Sequence, residues 1–153
     1  MDERTFEAIV RLIEDHSPAL WRRAQKRQRL LSWLHAGDHL FAPKSLDRFQ
    51  RELARKLGGL EREDLARRMR VLRRYRGRES LRLAARQLAG LAGLPETSAE
   101  MAWLAEACLG CALSALAPSP GSEGFCVLGM GKLGGEELNF SSDVDLVFVH
   151  ADG

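Results

Sequence analysis

Two aspartates, Asp143 and Asp145, stand two residues apart at the head of an apolar run, Val144 to Val149. The run is short, rich in β-branched and aromatic residues and preceded by Ser and Asp, the composition of a buried strand. Side chains alternate faces along a strand, so Asp143 and Asp145 share one face and Val144, Leu146 and Phe148 take the other. Two carboxylates held that close repel each other unless a cation lies between them. A hard divalent ion with oxygen ligands, Mg²⁺ or Mn²⁺, suits the pair, its shell completed by water and substrate phosphate. Upstream, Gly129, Gly131, Gly134 and Gly135 follow a first apolar run, Phe125 to Leu128, with Lys132 among them. Glycine reaches positive φ and lets backbone N–H groups close on an anion. The candidate nucleotide- and phosphate-binding residues are therefore Gly131, Lys132, Gly134, Gly135 and Ser142. The candidate metal ligands and catalytic carboxylates are Asp143 and Asp145. A backbone cradle for phosphate beside a metal that neutralises developing charge is what nucleotidyl or phosphoryl transfer requires.

Other motifs carry less. Gly129-x-Gly131-x-x-Gly134 fits a dinucleotide fingerprint, which needs a helix after the glycines and a parallel crossover of a dozen or more residues. Seven residues, Glu136 to Ser142, separate Gly135 from Asp143. That leaves no room for the crossover helix. Lys132 lacks the spacing of a P-loop lysine and is equally a surface residue in a turn. Cys108-x-x-Cys111 has no second pair and no nearby histidine, and inside a helical pattern it reads as two small hydrophobes. His16, His35, His39 and His150 stand without partners at metal-ligand spacing.

The run GMGKLGGEELNFSSDVDLVF resembles the signature of the glutamine synthetase adenylyltransferase/deadenylylase family, in the polymerase-β-like nucleotidyltransferase superfamily. The wording ELNFSSD is closer to the N-terminal, deadenylylating half of that family than to the adenylylating half, which tends to read ELGY. The likeness extends upstream through residues 72–90 and 97–116. It matches Gly134 and Gly135 to the phosphate-binding turn, and Asp143 and Asp145 to the metal pair. Glu136 departs from the pattern, which commonly has Arg there. The family continues for hundreds of residues and supplies a third carboxylate on a later strand, so the expectation is an N-terminal fragment. The resemblance implies phosphorolytic removal of AMP from an adenylylated tyrosine of glutamine synthetase, giving ADP. It also implies adenylylation by the other half, ATP or ADP and phosphate as ligands, and regulation by the PII signal protein and glutamine. The alternative is a non-catalytic helical interaction module that keeps a relic of the motif.

Length and composition set the frame. The chain has 153 residues, 45% hydrophobic and 29% charged, with a net charge of +2. That is enough for one domain with a core and ordinary for a soluble protein. No run approaches the length of a membrane span, the N-terminus lacks the pattern of a secretory signal, and three cysteines argue against a disulfide framework. The expectation is a cytoplasmic protein without membrane or nucleic-acid partners. Arg67, Arg68, Arg70, Arg73, Arg74, Arg76 and Arg78 crowd one stretch. They form either an anion-binding surface or a solvated helix face, and the near-neutral total and sparse aromatics favour the solvated face.

The elements that position the motif are mostly helical. Apolar spacing predicts helices over 3–14 and, after Ser17-Pro18, to about Leu34. A third, capped by Ser45, carries Leu46, Phe49, Leu53 and Leu57 and stops at Gly58-Gly59. A long pattern runs from Arg62 to Leu91, with Leu65, Met69 and Leu72, a kink or break expected at Gly77, and its end at Gly93 and Pro95. Thr97 or Ser98 should cap a last helix to about Leu116. The fold class is mainly α with a small α/β C-terminal part. A helical region, 1–118, leads into the first two strands of a nucleotidyltransferase-type sheet, 119–153.

Overall fold

The computed structural model describes residues 3–26, 28–37, 39–116 and 124–151. Among them the chain forms seven helices and one two-stranded sheet. The helices are α1 (Glu3–His16), α2 (Pro18–Gln25), α3 (Gln28–His35), α4 (Leu46–Leu57), α5 (Leu65–Leu88) and α6 (Leu94–Leu116). The C-terminal part is β1 (Phe125–Met130), a single turn α7 (Gly131–Gly134) and β2 (Asp145–His150). The expected fold class holds, and the strands lie within two residues of the predicted runs. The boundary expected at 118–119 lies outside the described residues.

Two compact units share the helices. The first comprises 1–43 and 77–97. Its core is Ile9, Ile13, Ala24, Leu34, Leu40, Leu81 and Ala85, with Leu20, Trp21 and Leu31 packed against it. The helix expected from 18 to 34 is two helices, α2 and α3. The sequence between Gln25 and Arg29 is Lys-Arg-Gln, with no apolar side chain to continue the pattern of a buried helical face. Ser17 sits at the N-cap with Pro18 behind it, but its side chain makes no capping bond. Charge is buried in this unit. Glu79 and Arg82 are fully buried, with Arg82 Nε donating to Glu79 Oε2 at 2.9 Å and Arg78 to Glu79 Oε1 at 2.6 Å. Arg82 also donates to the carbonyls of His39 and Ala42, and Arg86 to that of Leu40. These arginines tie the irregular segment after α3 to α5.

The second unit comprises 44–76 and 98–153. Ser45 caps α4 as expected, its Oγ accepting from Arg48 N–H. Phe49, Leu53 and Leu57 are buried, with Phe49 edge-on to Tyr75 of α5 at 6.4 Å. Lys44, itself buried, pairs with Glu52 at 2.8 Å, and Tyr75 donates to the same carboxylate at 3.0 Å. Lys44 N–H donates to Glu100 of α6. Cys108 and Cys111 are half-buried on α6. Burial pushes the Cys111 thiol above its ordinary range, with Arg68 pulling it back. That suits a packing residue rather than a reactive one.

Three helix boundaries correct the sequence reading. α5 runs through Gly77 without a break. Buried side chains on both sides, Leu72 and Tyr75 before it and Glu79 to Arg82 after it, offset the glycine cost of about 1 kcal/mol. The helix spans Leu65–Leu88, where the pattern predicts Arg62 to Leu91. Gly90 adopts φ +69°, its N–H bonds to Gln87 O, and Leu91 N–H bonds to Arg86 O. That pattern is a Schellman termination, which needs a left-handed residue. α6 begins at Leu94, so Thr97 is inside it and its hydroxyl donates back to Gly93 O.

Candidate functional site

β1 and β2 pair antiparallel, with Gly129 opposite Leu146 and Met130 opposite Asp145. This direction agrees with the exclusion of a parallel crossover. The two strands are largely exposed, contrary to the expectation of buried strands: Phe125 is 48%, Leu128 49% and Phe148 62% exposed. Both faces of the pair carry apolar side chains, and no third strand joins them among the described residues.

Asp145 is the first residue of β2, and Asp143 precedes the strand. Both are exposed, and because Asp143 lies outside the strand, alternation along β2 does not by itself set it on the face of Asp145. Asp145 has a defined neighbour. A Cβ built on Gly131 would sit 3.2 Å from Asp145 Oδ2, and Gly131 has φ +54°. The carboxylate therefore lies against the Gly131 backbone, at a residue whose conformation disfavours a side chain. Gly134 is held still more tightly. A Cβ there would meet Gly129 O at 2.5 Å. Glycine at 134 is what lets α7 fold back onto the end of β1.

α7 closes like a miniature of α5. Glu136 N–H bonds to Leu133 O and Glu137 N–H to Lys132 O. Glu136 takes the left-handed position, φ +55°, that glycine normally fills. The sequence marks this residue as a departure from the family pattern, but only the backbone shows what it does. Leu133 and Leu138 are buried and anchor the turn. Lys132 is exposed on α7 and Gly135 follows it.

The loop before β2 is ordered by its own side chains. Asn139 Oδ1 accepts from Ser141 N–H at 2.9 Å, and Ser142 Oγ accepts from Asn139 N–H at 3.2 Å. Asn139 lies outside the candidate site residues that the sequence suggests. The signal was present, since Asn followed by two serines is turn chemistry. Ser142 keeps its hydroxyl hydrogen for a further acceptor.

The structure thus brings Gly131 and Asp145 together and builds Lys132, Gly134 and Gly135 into one turn beside them, closed against Gly129 of β1. The oxygen donors of Asp143 and Asp145 suit a hard cation in kind. No group of three or more His, Cys, Asp or Glu side chains poised for a metal occurs among the described residues. A cation at this pair would rely on water or phosphate for the rest of its shell.

Residues 7–153 match the family model described as glutamate-ammonia ligase adenylyltransferase. Three similar proteins are each named a bifunctional glutamine synthetase adenylyltransferase/adenylyl-removing enzyme. That of Nitrosococcus oceani is 40% identical over 80% of this chain and 14% of its own length. That of Thioalkalivibrio sulfidiphilus is 48% identical over 58% of this chain and 10% of its own. That of Xanthomonas axonopodis pv. citri is 46% identical over 54% of this chain and 10% of its own. The chain thus spans a small part of the length of the curated relatives it matches.

Proposed function

From a chain that belongs to the glutamate-ammonia ligase adenylyltransferase family, we propose that the segment from β1 to β2 is the opening part of a nucleotidyl-transfer site. The whole enzyme would remove AMP from adenylylated glutamine synthetase by phosphorolysis, releasing ADP, and would adenylylate it with its other half. The run Glu137-Leu138-Asn139-Phe140-Ser141-Ser142-Asp143 supports the adenylyl-removing assignment. PII and glutamine would regulate the balance.

The observation that carries this reading is the seating of the Asp145 carboxylate against Gly131, whose left-handed backbone leads into the glycine turn. Asp143 and Asp145 would hold a Mg²⁺ or Mn²⁺ ion. When bound, the ion would neutralise charge on the phosphoryl oxygens. The chain's own contributions are positional. Gly131, Gly134 and Gly135 keep side chains away from an approaching phosphate, Lys132 offers a cation, and the Ser142 hydroxyl offers a donor. A two-stranded unit is marginal in water, and about 1 Å of misplacement costs about a hundredfold in rate. This chain alone should therefore bind cation and nucleotide weakly and turn over no adenylylated synthetase.

The test is calorimetric titration of the chain with ADP, with and without Mn²⁺. Weak binding that requires Mn²⁺ and is lost in Asp143→Asn and Asp145→Asn is expected. Nucleotide binding indifferent to metal and to both substitutions would sink the reading and favour the helical interaction module.

A further inference from the structure

The exposed face of α5 carries none of the residues proposed for that site. Leu72 and Tyr75 point the helix into the core of its unit, and both are buried. Arg70, Arg73 and Arg74 lie on the opposite face at helical spacing, flanked by Arg67 and Arg76. All five are exposed. Among the described residues no carboxylate pairs with any of these five guanidinium groups. The acids that bracket the row in sequence are engaged elsewhere: Asp64 caps the helix by accepting from Arg67 N–H, and Glu79 pairs with Arg78 and Arg82. From Arg67 to Arg76 the charged row extends about 14 Å along the axis.

An apolar row runs beside it. Leu65 and Met69, which the sequence pattern placed with Leu72, are 42% and 41% exposed. They continue at i, i+4 spacing into Arg73. Exposed Met and Leu interleaved with arginine is the composition of a protein interface. Nucleic acid asks for something else. Single strands need aromatic platforms, and none is exposed on this face; duplexes are drawn by a large positive field, and the chain carries only +2. A single nucleotide has no use for an apolar margin or for a charged row this long.

We propose that the N-terminal half of α5 docks an acidic, partly apolar surface of the protein substrate, separately from the site that binds nucleotide. The identity of that substrate rests on the function proposed above. Arginine forks pair with its carboxylates, while Leu65 and Met69 cover its apolar part. The face belongs to the same compact unit as Asp145 and the glycine turn, so a substrate held there is held by the unit that carries the chemistry.

The experiment is biolayer interferometry of the full chain against adenylylated glutamine synthetase, without metal or nucleotide, at low and high salt. Association that weakens with salt is expected. Reversal of three charges, Arg70→Glu with Arg73→Glu and Arg74→Glu, should weaken it at least about tenfold, since like charges then face each other. The matching glutamine triple, which only removes charge, should weaken it about threefold or more, and Met69→Ser in the same direction. Asp145→Asn should leave it within about twofold. Wild-type chain that fails to associate, or a glutamine triple that binds like wild type, overturns the proposal. So does a fluorescent DNA duplex that binds wild type and loses the glutamine triple while synthetase binding stays unchanged. Metal-dependent ADP binding without synthetase binding would remove the docking face and leave the nucleotide site standing.

Discussion

Gly131→Ala probes the joint between the glycine turn and Asp145. Two costs add. An L-residue at φ +54° pays about 1 kcal/mol for the left-handed region. The new Cβ would lie 3.2 Å from Asp145 Oδ2, so the carboxylate must shift by a few tenths of an ångström. The hairpin is exposed and opens locally, so the first cost is read best from the amides that close the turn. These are Gly135, Glu136 and Glu137, which donate to Gly131, Leu133 and Lys132. A loss of about 1 kcal/mol makes their hydrogen exchange about fivefold faster. The second cost should weaken Mn²⁺ binding about tenfold, as loss of support for a ligating carboxylate does. Gly135→Ala is the control. Its φ is −87° and its Cβ would meet only an ordinary contact, Gly131 O at 3.5 Å, so both effects should be small. Exchange and Mn²⁺ affinity unchanged in Gly131→Ala, or changed equally in Gly135→Ala, would refute the placement of Asp145 against this backbone.

Two further outcomes follow from particular residues. Glu79→Gln breaks a fully buried pair and leaves Arg82 charged without its carboxylate. Urea unfolding should show a loss of about 3 kcal/mol, and a loss under 1 would mean the arginine is held by the His39 and Ala42 carbonyls instead. Glu136→Gly relieves a left-handed non-glycine residue, so the Glu137 amide should exchange more slowly, by about fivefold for about 1 kcal/mol. Faster exchange would show that the Glu136 side chain itself stabilises the turn.

What the sequence determined by itself was local. Ser45 capping α4, Phe49, Leu53 and Leu57 facing inward, and the two strands around the glycines all depend on spacing and short-range chemistry. Asp143, Asp145 and the glycines can be named as candidates for the same reason, because their types and order are local features of the chain. The burial of Arg82 and Arg86 was not legible, because charge reads as surface until the backbone carbonyls of His39, Leu40 and Ala42 are brought to it from a distant part of the chain. The continuity of α5 through Gly77 was decided by packing on both sides of the glycine, which outweighs its propensity. The stop at Gly90 rather than Gly93 was a choice between two local signals that only the completed hydrogen bonds resolve. Exposure of Leu65, Met69, Phe125 and Phe148 was decided by which faces the rest of the fold covers, and apolar periodicity cannot say that a face is left bare. The contact of Asp145 with Gly131 joins residues fourteen apart, through a turn that exists only because Gly134 lets the chain close on Gly129. Spacing can name two such residues, but only the folded backbone can put one against the other.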